Sequence, residues 1–185
     1  MSRKSASIHW IKYAAIIFIS VWGMIPSGNA ETEHDFVGAK KCSMCHKSPA
    51  QGEQYSKWQT SGHAKAFEVL GTDAAKAAAS KAGVPDAQKS GKCLKCHSTA
   101  YGNMEAQMTQ NIPVEEGISC ESCHGAGKDY MKMSVMKDLR AAAAAGLKLP
   151  DEKTCVTCHN AESPTFKPFS YAERVETIKH SIPKK

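Results

Sequence analysis

Four copies of one short motif constrain what this chain can fold into. All eight cysteines stand in C-x-x-C-H frames: "CSMCH" (42–46), "CLKCH" (93–97), "CESCH" (120–124) and "CVTCH" (155–159). Disulfides or a zinc site with four thiolates would account for paired cysteines, but neither requires a histidine after each pair. The frame is the attachment site of c-type haem, in which two thiols bond the haem edge and the histidine binds the iron. We therefore predict four covalently attached haem c groups.

Every frame supplies two thioether positions and one proximal iron ligand. The predicted attachment residues are Cys42, Cys45, His46, Cys93, Cys96, His97, Cys120, Cys123, His124, Cys155, Cys158 and His159. No cysteine is left over for another use.

The first thirty residues have the features of a secretory signal peptide. A basic start, "MSRK", precedes an apolar run at 13–25, and "GNA" at 28–30 offers small residues for signal peptidase. Thirteen apolar residues are too few to span a bilayer comfortably, and an uncleaved anchor is the alternative. We predict a signal peptide at 1–30 and a tetrahaem cytochrome c domain at 31–185. The protein is then periplasmic, without stable membrane insertion, and the cell surface is a second location.

Large apolar side chains are sparse, and alanine makes up much of the 42% hydrophobic content. A chain of this size needs another source of buried apolar surface, and four porphyrins would supply it. We predict a mainly α fold, a compact multihaem cytochrome c with short helices and loops wrapped around four stacked haems. Loss of Arg3, Lys4 and Lys12 with the signal lowers the formal net charge from +6 to +3, and haem propionates offset the rest. This balance predicts neither nucleic-acid nor membrane binding.

Four helices are predicted, with the haem motifs in turns between them. They cover about 54–70 before Gly71, an alanine-rich stretch capped by Thr72 or Asp73 and stopped by Gly83 and Pro85, "YMKMSVMKDLRAAAAAG" up to Gly146, and "SYAERVETIKHSIP" before Pro183. The last helix opens with a predicted capping box of Ser170 and Glu173. Residues 102–117 have no clear period and are predicted to form a loop or a short hairpin.

The remaining histidines are too few to complete four irons. After the signal is removed, His34, His63 and His180 must serve four distal positions. His63 lies in an apolar helical pattern and His180 near the end of the last helix, and both are predicted haem ligands. His34 lies close to the new N-terminus, so we expect it to be solvated or to reach a second chain.

At least one iron must therefore take a methionine, a weaker ligand, a ligand from a second chain, or nothing. Met131, Met133 and Met136 follow the third motif closely, and Met136 is the predicted ligand because it lies furthest into the helix. Packing is the competing use of such a methionine cluster.

Three segments carry a family resemblance. "VGAKKCSMCHKSPAQGEQYSKWQTSGHAKAF", "GISCESCHGAG" and "FSYAERVETIKH" resemble the tetrahaem cytochrome c-554 family of periplasmic multihaem c-type cytochromes. The likeness covers essentially the whole chain after residue 30. It implies a mainly α-helical electron carrier with haems in closely stacked pairs. The best-known member accepts electrons from hydroxylamine oxidoreductase.

The resemblance also implies a ligand set. His63 would be the distal ligand of the haem on His124, and His180 that of the haem on His159. The haem on His97 would be five-coordinate. The family's first haem takes a histidine shortly after the third motif, but "GAGKDYMKMSVMKD" contains none. The haem on His46 therefore uses Met133 or Met136, borrows His34, or is open.

We predict an electron carrier and not an enzyme, acting between redox partner proteins whose identity the sequence leaves open. Lysines such as Lys40, Lys41, Lys184 and Lys185 would steer weak docking. The alternatives are a nitric oxide or nitrogen oxide reductase at an open haem, and a haem-stacked filament in which the chain associates with itself through His34.

Overall fold

The structure is a computed structural model that describes residues 34–102 and 112–180. The predicted signal peptide at 1–30 lies outside the described residues. Residues 34–102 and 112–180 form eleven short α-helices and two 3₁₀ helices with no strand, which confirms the mainly α fold. The helices are α1 Ala39–His46, α2 Gln54–Gln59, α3 Ala66–Val69, α4 Asp73–Lys81, α5 Gly91–His97, α6 Thr99–Gly102, α7 Cys120–His124, α8 Met133–Met136, α9 Leu139–Ala144, α10 Glu152–Val156 and α11 Tyr171–Ile178. The 3₁₀ helices are Pro49–Gln51 and Val114–Glu116. None of the described helices is long and apolar enough to cross a membrane.

The haem motifs lie on helices, so the prediction that they occupy turns was wrong. The first three motifs end α1, α5 and α7, and the fourth begins in α10 and finishes in the turn after it. Residues three and four apart share one face of a helix. A single helical turn therefore brings both cysteines and the histidine of each motif to the same side.

The helix predicted at about 54–70 is broken in two. α2 ends at Gln59 and α3 begins at Ala66. Between them, the His63 carbonyl accepts a hydrogen bond from the Ile118 amide at 2.9 Å, and the Trp58 indole donates to the Ile118 carbonyl at 2.7 Å. These contacts take the chain out of a continuous helix and fix the turn that holds His63.

The close approach at this turn requires glycine at position 117. Gly117 has φ +70°, and a Cβ there would lie 2.7 Å from the His63 carbonyl oxygen. We expect Gly117→Ala to destabilise the fold by about 1–3 kcal/mol from backbone strain alone. Gly62→Ala is the matched control, because nothing lies within 4 Å of a Cβ at that position. Guanidinium unfolding followed by circular dichroism compares the two variants, and equal midpoints would contradict the prediction.

The alanine-rich helix is confirmed. α4 begins after Thr72, whose hydroxyl accepts from the Ala75 amide at 3.3 Å, and the chain leaves it through Gly83 at φ +68°. A β-hydroxyl at this position satisfies one of the amides that a helix start leaves without a partner. The sequence was sufficient to predict this helix because the residues that begin and end it lie next to it in the chain.

The other two predicted helices differ in detail. The helix before Gly146 is split into α8 and α9, because the Asp138 carboxylate accepts from the amides of Arg140 and Ala141 and so starts a new helix. α11 forms as predicted, but Ser170 makes no side-chain capping bond, so the predicted box with Glu173 was wrong. A capping box does form at the start of α10, between Asp151 and Thr154.

The apolar core is small. One cluster packs Leu70, Ala79, Val84, Ala87 and Leu94 together, with Phe67 and Tyr101 beside them. The other buried apolar residues described are Ala39, Ala66, Ala100, Ile112, Tyr130 and Ala142. Large apolar side chains are exposed elsewhere, among them Met44 and Val156, which lie inside the first and fourth motifs. The described chain therefore leaves apolar surface at its haem motifs.

Candidate haem centre

Three motif histidines are oriented through the ring nitrogen that would face away from a metal. The Nδ1 of His97 donates to the Ala66 carbonyl at 2.6 Å, and that of His124 to the Lys148 carbonyl at 3.0 Å. The Nδ1 of His46 donates to the Gln54 side-chain oxygen at 3.3 Å. A histidine held this way presents its Nε2 to a metal in a fixed orientation.

His159 is oriented by packing. Its ring stacks on Phe169, with the ring centroids 4.6 Å apart and the planes 15° from parallel. The motif histidine of α10 therefore also has a fixed position, although it lies in the turn that follows the helix.

Two imidazoles lie opposite two of the motif histidines. The ring centroids of His63 and His159 are 6.0 Å apart, and those of His124 and His180 are 5.7 Å apart. Two imidazoles that bind one iron from opposite sides, each with a nitrogen about 2 Å from the metal, have ring centres about 6 Å apart. The spacing of both pairs therefore fits a haem iron between two histidines.

The partners differ from those that the family resemblance implied. It paired His63 with His124 and His180 with His159, and the structure exchanges the two. The turn that holds His63 is tied to Ile118 by backbone bonds, and its ring reaches the fourth motif. Chain order carries no information on this choice, because tertiary contacts decide which motif the turn faces.

Burial favours the neutral form of these rings. It lowers the pKa of His63, His124 and His180, and for His63 and His180 the neighbouring motif histidine lowers the pKa further. The neutral imidazole is the form that binds a metal. Each ring is therefore in a state suited to an iron ligand before any group is bound.

The other two motif histidines make no described ring contact with another histidine, although His46 is near enough to lower the pKa of His124 and His180. All seven histidines after residue 30 lie in the described ranges, and no ring contact in those ranges joins His46 or His97 to another histidine. For His97, the five-coordinate haem that the resemblance implied stays a prediction. For His46, the lack of a ring contact with another histidine corresponds to the family histidine that this sequence lacks after the third motif. Met136, half-buried in α8, stays the predicted ligand there, while Met133 is 65% exposed.

His34 is held in place, so the expectation of a frayed and solvated side chain was wrong. Its Nδ1 lies 2.8 Å from an Asp129 carboxylate oxygen, and its ring packs against Gly146. The ion pair of Lys128 with Asp35 links the same two segments of the chain a second time. The first described residues are therefore fastened along the segment that follows the third motif.

The cysteines bring the motifs together. Cys42 and Cys120 lie close enough for each to shift the pKa of the other, and so do Cys96 and Cys158. Cys123 lies in the electrostatic neighbourhood of the fourth motif's cysteines. The first motif thus adjoins the third, and the second, third and fourth motifs adjoin one another, since Thr99 after the second motif bonds to Ser122 of the third.

The eight cysteines form no disulfide. Across the described ranges, no group of three or more histidine, cysteine or acidic side chains could hold a metal ion. The described residues therefore offer no four-thiolate zinc site.

Several buried polar residues of the centre were missed from the sequence. The Thr99 hydroxyl, fully buried, bonds to the Gly117 carbonyl at 3.1 Å and to the Ser122 hydroxyl at 2.7 Å, which joins the end of the second motif to the third. Glu121, inside the third motif, is also fully buried. Nothing in the sequence marks either one, because Glu121 stands at a position that the C-x-x-C-H frame leaves free and Thr99 lies outside the frame.

Paired cysteines on helical turns, each followed by an oriented histidine, define a c-type cytochrome, the class that binds haem c covalently and takes part in electron transfer. The family model "Cytochrome c554 and c-prime" matches residues 41–125. The curated protein "Cytochrome c-554" of Nitrosomonas europaea is 32% identical over 142 residues, which cover 67% of this chain and 57% of that relative. No solved structure matches the chain. The chain belongs to the cytochrome c-554 family, and it spans 57% of the length of the curated relative it matches.

Proposed function

We propose that the protein is a periplasmic electron carrier with four haem c groups. The observation that carries this proposal is that the four motifs adjoin one another, with the first beside the third and the third beside both the second and the fourth. When bound, each haem iron supplies one-electron chemistry by cycling between its ferric and ferrous states. Neighbouring sites in such an arrangement give an electron short steps from one site to the next.

The paired histidines support the carrier role at two of the sites. His63 with His159 and His124 with His180 would each hold one haem iron between them, which would leave no position for an external molecule. Because the rings are already neutral and fixed, the ligands do not change with oxidation state. Such sites transfer electrons without binding a substrate.

A second function, binding of a small molecule such as nitric oxide, is favoured by the sites on His97 and His46. Each has its Nδ1 anchored and no described ring contact with another histidine. This arrangement supports one or two open iron positions beside two closed ones. No set of distal acid or base groups is visible in the sequence, so we propose ligand binding there and not turnover.

The partners and location follow from weaker features. Lys40 and Lys41 are exposed at the start of α1, next to the first motif, and would steer an acidic redox partner. Lys184 and Lys185 lie outside the described residues. His34, expected to reach a neighbour in a filament, bonds to Asp129 of its own chain, so nothing described favours the filament. Export through the predicted signal peptide would place the carrier in the periplasm.

One experiment tests both functions. The intact mass should show four attached haems, and low-temperature EPR of the ferric protein should give two bis-histidine low-spin haems. Cyanide or nitric oxide should shift signals from one or two haem equivalents and leave the other two unchanged. Reversible reduction of all four haems supports the carrier, whereas fewer haems or a response from all four would contradict it.

A further inference from the structure

One acidic side chain lies fully buried inside a haem motif. Glu121 stands between the two cysteines of the third motif and has no exposed surface. Its carboxylate accepts hydrogen bonds from three backbone amides: Val37 at 3.0 Å, Gly38 at 2.8 Å and Gly127 at 2.6 Å. Charged residues are almost never fully buried unless they are paired, so this position has a specific use.

The partners of Glu121 are those of an ionised carboxylate. All three are N–H donors, and a protonated carboxyl would instead need an acceptor for its own proton. Burial raises the pKa of Glu121, and the three amides oppose that effect by stabilising the charged form. The described hydrogen bonds are therefore complete only when the side chain carries its negative charge.

The charge lies where the first and third motifs meet. Val37 and Gly38 lead directly into α1, which carries the first motif, and Gly127 follows the third motif. Helices α1 and α7, which carry Cys42 and Cys120, contact each other at this junction. Glu121 thus links the residues before the helix of the first motif to the segment that follows the third motif.

A second carboxylate and a phenol complete the junction. One oxygen of Glu116 accepts from the Ala39 amide, the first of α1, at 3.0 Å. The Tyr130 hydroxyl donates to the Gly125 carbonyl at 2.7 Å, with the ring buried. Tyr130 lies close enough to Cys42, Cys120 and Glu121 for their charges to raise its pKa, after burial. The surroundings of Glu121 are therefore closed to solvent, where a charge acts strongly on its neighbours.

We propose that Glu121 holds a fixed negative charge between the first and third haem sites and thereby lowers the reduction potentials of those two sites. A buried anion stabilises the more positive, ferric form of an iron near it. All three amide partners of Glu121 belong to the entry of the first motif or to the segment after the third, which ties the charge to those two sites. Glu121 is a positioning residue, since its carboxylate contacts backbone amides and not the iron. The inference rests on the proposed electron carrier.

The test is a spectroelectrochemical titration of the haem-loaded protein and two variants. Glu121→Gln removes the charge and nearly keeps the shape. Glu115→Gln is the matched control, because Glu115 is exposed, lies six residues away, and makes no described hydrogen bond. In E121Q, two of the four haems should show at least a fivefold higher ferrous-to-ferric ratio at a fixed potential, where tenfold corresponds to about 59 mV. The other two haems, and all four in E115Q, should match the wild type.

A purely mechanical role for Glu121 would lower stability without moving two potentials selectively. Unchanged potentials in folded E121Q, or an equal shift of all four, would overturn the inference. If E121Q attaches no haem, Glu121→Asp decides: it keeps the charge on a shorter side chain, so the potentials should stay near those of the wild type. An upward shift of two potentials in E121D would overturn the inference. Failure of the wild type to carry four reducible haems would instead refute the proposed function.

Discussion

Replacing His63 with alanine is expected to convert one haem of the ferric protein from low spin to high spin. The His63 ring lies opposite the His159 ring, 6.0 Å between centroids, and nothing else described takes its place. Loss of the distal imidazole leaves an iron with one protein ligand and an open position. Low-temperature EPR with spin quantitation should show about one new high-spin haem equivalent, and cyanide should bind to it.

His34→Ala is the matched control for this variant. It also removes an imidazole, but that ring is bound to Asp129 and packed on Gly146. The high-spin signal should therefore stay at its wild-type level. A new haem equivalent of high-spin iron in H34A, or none in H63A, would contradict the ligand assignment.

Double variants decide which motif His63 serves. If His63 and His159 share an iron, His63→Ala combined with His159→Met changes one haem equivalent, because both ligands belong to the same site. His63→Ala combined with His124→Met then changes two. The pairing implied by the family resemblance predicts the opposite result. The two double variants therefore show which motif histidine shares an iron with His63. The single variant shows only whether His63 is a ligand.

Sequence reasoning identified chemistry better than arrangement. The C-x-x-C-H frames predict attachment residues because their chemistry is local, and Thr72 marks a helix start for the same reason. The partner of His63 depends on a backbone bond to Ile118, 55 positions away, which no local pattern contains. Tertiary hydrogen bonding also broke the helix predicted around that histidine, overriding its local propensity.

Buried polar residues were the other omission. Glu121 stands at a position that the motif leaves free, and its three amide donors come from 37–38 and 127. The role of Asp129 was recognised only from its contact with His34 in the structure. A carboxylate in a sequence is ordinarily assigned to the solvated surface, and only the fold shows which one must be buried.

The haem-free chain is expected to lose most of its helical structure. The described helices are at most nine residues long, and isolated helices shorter than about 12–15 residues are marginal in water. The buried apolar cluster contains five residues, three of them Leu70, Val84 and Leu94, and two alanines. Hydrophobic burial on this scale does not offset the entropy of ordering such a chain.

Circular dichroism of the chain produced without haem attachment tests this dependence. Its helical signal should fall well below that of the haem-loaded protein at the same concentration, and no cooperative thermal transition should remain. The exposed apolar side chains Met44 and Val156, inside two of the motifs, are the surface that attachment would cover. A haem-free chain with the native helical signal would show that the polypeptide alone supplies the core. The small apolar cluster would then be sufficient to stabilise the fold, and the fold would not depend on the haems.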